Sequence, residues 1–232
     1  LSPKKYLGVA TALPANTVNA DKARIFNSNI EALYSDFGSP DELDKIEGTA
    51  ALDTIFIAAS KELQLANHYK ITASGNALFE AAMCLKKNSR INRSSYGELK
   101  VKVWDGDRNM TATLANFLMQ KLQELHQHLQ NQNNMLVLEK VKETYTLKQK
   151  EYLQMADSLN TEPNVSSNLS AQKEMMKTKM VAMRDQLQQY EKLIGEYQLA
   201  ISSNARVLLI VENARPPLWP DKPKVLTTVL FS

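Results

Sequence analysis

The fold is decided by residues 176–201, which read MKTKMVAMRDQLQQYEKLIGEYQLAI. The apolar residues of this stretch are spaced alternately four and three apart, a pattern that gives a helix one apolar seam for a second helix. The members of the seam are Met176, Met180, Met183, Leu187, Tyr190, Ile194, Tyr197 and Ile201. The stretch therefore predicts a long helix that packs along a partner.

The partner helix lies upstream, where residues 111–160 contain no Pro and no Gly. Its seam includes Leu122, Leu125, Leu129, Tyr145 and Tyr152. Residues 161–168, TEPNVSSN, predict a turn, because Pro ends a helix and small polar residues favour loops. We expect an antiparallel helical hairpin over residues 111–203 that projects from the rest of the protein, since arms of this length would reach about 50–75 Å. The polar run 130–134 predicts a kink, a stutter or an exposed polar patch.

The remaining residues, 1–110 and 204–224, are expected to form one base from which the hairpin emerges. We expect strands at Tyr6–Leu13, at Leu99–Trp104 with one face buried, and at Val207–Val211 as a central strand whose pairing with the second would join the feet of the hairpin. Helices are expected at 21–37, from Pro40, at 49–67 and at 76–87. The predicted class is α+β: a small mixed β-sheet with packed helices and a long projecting hairpin.

The composition and the two ends of the sequence limit the classes of function that are possible. A net charge of +3 over 232 residues, without a basic cluster interleaved with aromatics, argues against nucleic acid as a partner. The start lacks the pattern of a signal peptide, and no run of eighteen apolar residues occurs. Residues 225–232, VLTTVLFS, start an apolar run that is cut off in the middle, which suggests an excised fragment.

Sites for chemistry are not evident in the sequence. His126 and His128 are two residues apart on a helix, so they would face different sides and are better explained as solvated positions than as metal ligands. Cys84 is expected to be a buried thiol. Asp105 and Asp107 are expected to form the turn and N-cap at the start of the long helix. We therefore predict no enzyme, no metal site and no cofactor.

The segment after the last predicted strand carries a proline repeat. Pro217, Pro220 and Pro223 recur at every third residue and are followed by Lys224, a spacing that suits a stiff polyproline-type extension. The order of strand, proline repeat, Lys and apolar run resembles the second membrane junction of the Wzz-type polysaccharide co-polymerases, the bacterial chain-length determinants. The strand starting near Tyr6 and the segment from Val101 to Asn116 are also similar to that family, although Arg108 stands where the family commonly has a Pro.

This resemblance implies a non-enzymatic function at the bacterial inner membrane. The domain would face the periplasm, with its base next to the membrane, and would be anchored by a transmembrane helix at each end. Residues 225–232 would be the truncated start of the second of these helices, and the chain would assemble as a homo-oligomer. Its partners would be a membrane polysaccharide polymerase and the nascent polysaccharide, whose chain length it would regulate: O-antigen of lipopolysaccharide, capsule or a related polymer. Three alternatives remain open: a periplasmic adaptor or hairpin subunit of an efflux or export system, the extracytoplasmic part of a polysaccharide-linked tyrosine kinase, and a cytoplasmic hairpin chaperone or filament protein.

Overall fold

The computed structural model describes residues 3–15, 40–71, 75–161 and 167–223. The predicted helix at 21–37, most of the predicted turn at 161–168, Lys224 and the apolar run 225–232 lie outside the described residues. Within them the chain has an α+β fold, with one four-stranded sheet and two long helices.

The sheet is antiparallel throughout the described residues, not mixed as predicted. Its strands are β1 (Tyr6–Pro14), β2 (Ser89–Arg93), β3 (Leu99–Asp105) and β4 (Leu208–Glu212), in the spatial order β2-β3-β1-β4. In β3 the buried and half-buried residues alternate, as the sequence predicts. Strand β2 was not predicted, because its sequence SRINR alternates polar residues around a single Ile.

The prediction that β4 is a central strand was wrong. It lies at an edge, and β1 separates it from β3, so the two strands beside the long helices do not pair. Leu208 is 1% exposed, whereas Leu209 and Val211 are 38% and 50% exposed. An unbroken apolar run therefore buries only one side here, since an edge strand packed on a helix covers alternate residues.

Four helices precede the long pair: α1 (Pro40–Ala50), α2 (Asp53–Glu62), α3 (Leu65–His68) and α4 (Ala77–Lys87). The single helix predicted over 49–67 is divided between α1, α2 and α3. Gln64 takes a left-handed conformation with φ of 50°, which ends α2 and turns the chain into α3. Gly48 lies inside α1 rather than between helices.

The long helices are α5 (Arg108–Thr161) and α6 (Ser167–Ser203). The chain divides into two compact units, here called the base unit (residues 1–127 and 206–232) and the hairpin unit (residues 128–205). The first five turns of α5 thus belong to the base unit, where Leu114, Leu118 and Leu122 are fully buried in the core and Leu125 packs against it. The structure therefore places two of the predicted seam residues, Leu122 and Leu125, in the core of the base.

Helix α5 starts at the N-cap that the sequence predicts. The Asp107 carboxylate accepts hydrogen bonds from the backbone N–H groups of Asn109 and Met110, at 2.7 and 3.2 Å. The first turn then lies directly against β1, because a Cβ at Gly8 would stand 2.7 Å from the backbone oxygen of Thr111. Only Gly allows so close an approach of strand and helix.

Candidate functional site

The first and last described segments of the base unit pair with each other. Lys5 N donates to Lys222 O at 3.0 Å, and the backbone N–H groups of Asp221 and Lys222 donate to Lys5 O at 2.8 and 3.1 Å. The residues Lys5, Trp104, Asp221 and Lys222 are called here the terminal junction. These three backbone hydrogen bonds join the start of β1 to the proline segment.

Side chains fasten the same junction. The indole N–H of Trp104 donates to Asp221 Oδ2 at 2.8 Å, and the ammonium of Lys222 lies 4.8 Å from the centroid of the Trp104 ring. Trp104 is at the end of β3, so the half-buried face of that strand holds the proline segment in place. A cation over an indole ring adds about 0.5–1 kcal/mol at an exposed site.

Two amide side chains of α5 fix the path of the chain into the junction. Gln123 accepts a hydrogen bond from the backbone N–H of Leu208, at the start of β4. Asn116 accepts from Ala214 N at 2.7 Å and donates to Ala214 O at 3.0 Å, just after β4. Seven residues apart, these amides lie on one face of the helix, so α5 satisfies backbone groups that an edge strand would otherwise leave unpaired.

The proline repeat lies in this held segment. Pro217, Pro220 and Pro223 are all half-buried, whereas Leu218 and Trp219 between them are strongly exposed. Lys224 lies outside the described residues. The repeat therefore spans a segment that Asn116 holds before Pro217 and that Lys5 holds after Pro220.

A polar cluster lies behind the junction. The Asp105 carboxylate is buried, contacts His68 Nε2 at 3.0 Å and accepts from Asp107 N at 2.9 Å. Burial and the nearby Asp105 charge raise the pKa of the Tyr69 hydroxyl and of the Cys84 thiol, so both stay protonated at neutral pH. Cys84 is half-buried rather than fully buried. Such a cluster suits a structural role, since its groups are held in their un-ionised forms or paired.

The histidines of the long helix differ from the prediction. His126 is buried, with its Nε2 2.6 Å from Thr49 Oγ1, and burial lowers its pKa. It is therefore a packed contact between α1 and α5, not a solvated position, whereas His128 is exposed. Among the described residues, no group of three or more His, Cys, Asp or Glu is placed to hold a metal ion.

In the hairpin unit, two side-chain hydrogen bonds join α5 to α6. Tyr145 Oη donates to Glu191 Oε1 at 2.7 Å, and Asn131 Nδ2 donates to Asn204 Oδ1 at 2.6 Å, so α5 and α6 run antiparallel. Met183 is buried. Leu129 is 44% exposed, and the other predicted seam residues of this unit are half-buried: Tyr145, Tyr152, Met180, Leu187, Tyr190, Ile194 and Tyr197.

The polar run 130–134 does not interrupt α5, which continues through it as helix. Gln132 and Asn133 are exposed, but Asn134 is buried. Asn134 is four residues before Leu138 and seven before Val141, so it occupies a seam position itself. A single polar residue at such a position typically fixes the register of paired helices at some cost in stability.

An apolar surface lies on the outside of the hairpin unit. A shallow groove there is lined by Met135, Leu136, Leu138 and Ile201, with His128 and Lys142 at its polar margin. Met135 and Leu136 are largely exposed, as are Leu147, Val181 and Leu199 elsewhere on the unit. A contiguous exposed apolar patch, such as the one at Met135 and Leu136, is typical of a surface that meets another molecule.

No protein-family model and no curated protein sequence matches this chain. Solved structures do. A fragment of WzzB, a polysaccharide co-polymerase from Salmonella Typhimurium, matches with 14% identity and a TM-score of 0.36 over 95% of this chain and 100% of that one. A full-length bacterial polysaccharide co-polymerase matches with 14% identity and a TM-score of 0.35, over 100% of this chain and 82% of the other. Both solved structures are described as polysaccharide co-polymerases.

Sequence reasoning found the proline repeat but missed the terminal junction. A pairing of one residue on each strand leaves no periodic pattern, and Lys5 and Lys222 are too far apart in the chain for any local signal. The partial signals were Asn116 and Gln123, amides at seven-residue spacing on a helix face that is otherwise apolar. None of the helices in the described part of the chain is both long and apolar enough to cross a membrane.

Proposed function

We propose that this chain is a periplasmic domain that regulates the chain length of a bacterial polysaccharide without catalysing a reaction itself. The observation that carries the proposal is the terminal junction. Its backbone hydrogen bonds bring Lys5 and Lys222 to one place on the base. A domain held on a membrane by a helix at each end needs its two connections side by side, and this arrangement supplies them.

The hairpin unit supports the second part of the proposal, in which copies of the chain assemble beside a membrane polymerase. Its exposed apolar residues, including Met135, Leu136 and Leu147, offer a surface for a neighbouring copy. A homo-oligomer would repeat that surface around a ring. In such an assembly the growing polysaccharide meets the scaffold many times, which is a physical basis for setting a preferred length.

The test is the length distribution of the surface polysaccharide, displayed as a gel ladder. A strain that lacks the full-length gene should lose its preferred length, and the intact gene should restore it. A gene carrying Trp104→Ala and Asp221→Ala, which loosen the junction, should restore it poorly at equal protein level. The control is Tyr96→Ala. Tyr96 lies in the exposed turn before β3, at the opposite end of that strand from the terminal junction. An unchanged ladder in the deletion strain would contradict the proposal.

Two alternatives make different demands on the chain. A periplasmic adaptor would flank the hairpin with lipoyl-like and barrel segments, whereas the described base unit holds one sheet packed with helices. A polysaccharide-linked kinase would carry a phosphate-binding loop downstream in the reading frame, which sequencing the gene decides.

A further inference from the structure

The segment between the two fixed points of the proline repeat presents a pair of large apolar side chains. Leu218 is 75% exposed and Trp219 is 81% exposed. Pro216 and Pro217 precede them and Pro220 follows, so the backbone around the pair has little freedom. Large apolar side chains are unfavourable when they are exposed to water. Because the segment is stiff, less conformational entropy is lost when these side chains bind another surface.

We propose that Leu218 and Trp219 insert into the interfacial region of an anionic lipid bilayer and set the height of the base above it. The inference deepens the proposed function and rests on it for the presence of a membrane at this end of the base. Trp is the residue most suited to the boundary between headgroups and acyl chains, because its ring is apolar and its N–H can remain hydrogen-bonded.

The charges around the pair favour a bilayer over another protein surface. Lys4, Arg215 and Lys222 are exposed and lie in the segments that meet at the terminal junction. The nearby carboxylate of Asp221 accepts the Trp104 N–H. Cations in the same segments as an exposed Trp and Leu match anionic headgroups above an acyl layer.

The pairing of the strands also separates the junction end of the sheet from the opposite end. Tyr6 pairs with Asp105 at the end of the sheet where Lys5 meets Lys222, and Ala12 pairs with Leu99 at the other end. The turn after β2 carries Tyr96, which is 86% exposed, at that other end. The base therefore has an exposed aromatic at each end of its sheet. Among the described residues, Trp219 has an exposed Leu beside it and exposed basic residues in its segment, whereas the basic residues beside the turn of Tyr96, Arg93 and Lys100, are half-buried and paired with Asp44 and Glu98.

The experiment is co-sedimentation of the 232-residue protein with vesicles of phosphatidylglycerol and phosphatidylethanolamine, combined with tryptophan emission. We expect vesicles to shift the emission to shorter wavelength and Trp219→Ala to abolish the shift, leaving the signal of Trp104. Trp219→Ala should lower the partition coefficient about tenfold, the loss expected for one large apolar side chain. Trp219→Phe should recover part of it, and the matched control Tyr96→Ala should change it less than twofold.

Three results would overturn the inference. The first is equal binding of wild type and Trp219→Ala, and the second is no binding of the wild type to any vesicle. The third is an emission shift that grows with protein concentration without vesicles, which would assign the pair to a protein contact. None of these results involves the polymerase. If the vesicle experiment fails, the polysaccharide ladder still decides the proposed function. If the ladder is unchanged, the vesicle result still stands by itself.

Discussion

The base unit and the hairpin unit are stabilised in different ways. In the base unit, β1, β3, α4 and the first turns of α5 enclose side chains with no exposed surface, among them Leu85, Leu99, Val101 and Leu118. In the described part of the hairpin unit, only Met183 and Asn134 are buried. A pair of helices can cover only one stripe of each, so its seam stays partly open to water.

This difference indicates where a substitution will have a large effect on stability. A core that is closed on all sides transmits any change of volume or charge, since protein interiors are close-packed. A half-open seam allows side chains to move toward water. Stability in the hairpin unit therefore depends on many small seam contacts, and local opening should cost less there than in the base.

The largest expected effect is from charge in the core. Leu208→Asp places a carboxylate at a position that is 1% exposed, which should cost about 3–5 kcal/mol, the usual effect of an unpaired buried charge. Tyr190→Asp, at a half-buried seam position, should open the hairpin unit while the base stays folded. Hydrogen exchange read by mass spectrometry separates the two, through peptides from β1 and from α6. Equal loss of protection in both peptides for Tyr190→Asp would show that the units do not unfold independently.

The next effect concerns one glycine in each unit. Gly8→Ala pushes a Cβ to within 2.7 Å of the Thr111 backbone oxygen and should destabilise the base by about 1–3 kcal/mol, the usual cost of overpacking. Gly195→Ala in α6 meets no atom within 4 Å and should stabilise the helix by up to about 1 kcal/mol. Urea unfolding followed by circular dichroism gives both signs. A stabilising Gly8→Ala would contradict the close approach of β1 and α5.

Local sequence patterns predicted the elements that depend on local physics. The alternation of Leu99, Val101 and Val103 predicted β3, and the four-three spacing from Met176 onward predicted α6. Asp107 was correctly placed as the N-cap of the long helix. Each of these follows from the period of one element and the residues beside it.

The incorrect predictions concern residues whose structure is decided by contacts with residues far away in the sequence. The run Val207–Val211 has the composition of a central strand, yet β4 lies at an edge of the sheet, where Gln123 of α5 accepts from its Leu208 N–H. His126 has no sequence feature that marks burial, and Thr49 supplies its partner from α1. The terminal junction was missed for the same reason. Proline spacing pointed to the right segment, but which residues it meets is a property of the folded base.

A smaller effect is the response of the base unit to acid. Burial lowers the pKa of His126 below its ordinary value of 6.5, so the folded state favours the neutral ring. This contribution to stability is complete above pH 6.5 and is lost as the pH falls from 6.5 to the pKa of His126 in the folded state. The loss is about 1.4 kcal/mol for each pH unit between these two pKa values. Thermal unfolding between pH 7.5 and 5 should therefore be steeper in pH for the wild type than for His126→Gln. Equal slopes would show that His126 does not titrate differently on unfolding.

The smallest expected effect tests the register of the hairpin unit. The hydrogen bond from Tyr145 to Glu191, together with the glutamate charge, raises the pKa of the Tyr145 hydroxyl above 10.0. Glu191→Ala should bring the titration of Tyr145 back toward 10.0, and because this hydrogen bond is exposed to solvent the melting temperature should hardly change. The measurement is an NMR titration of ring-labelled tyrosine, with Tyr145→Phe identifying the signal and Glu139→Ala as the control on the same helix. If Glu139→Ala moved the signal and Glu191→Ala did not, Tyr145 would not face Glu191, and the seam would pair in another register than the one that buries Met183.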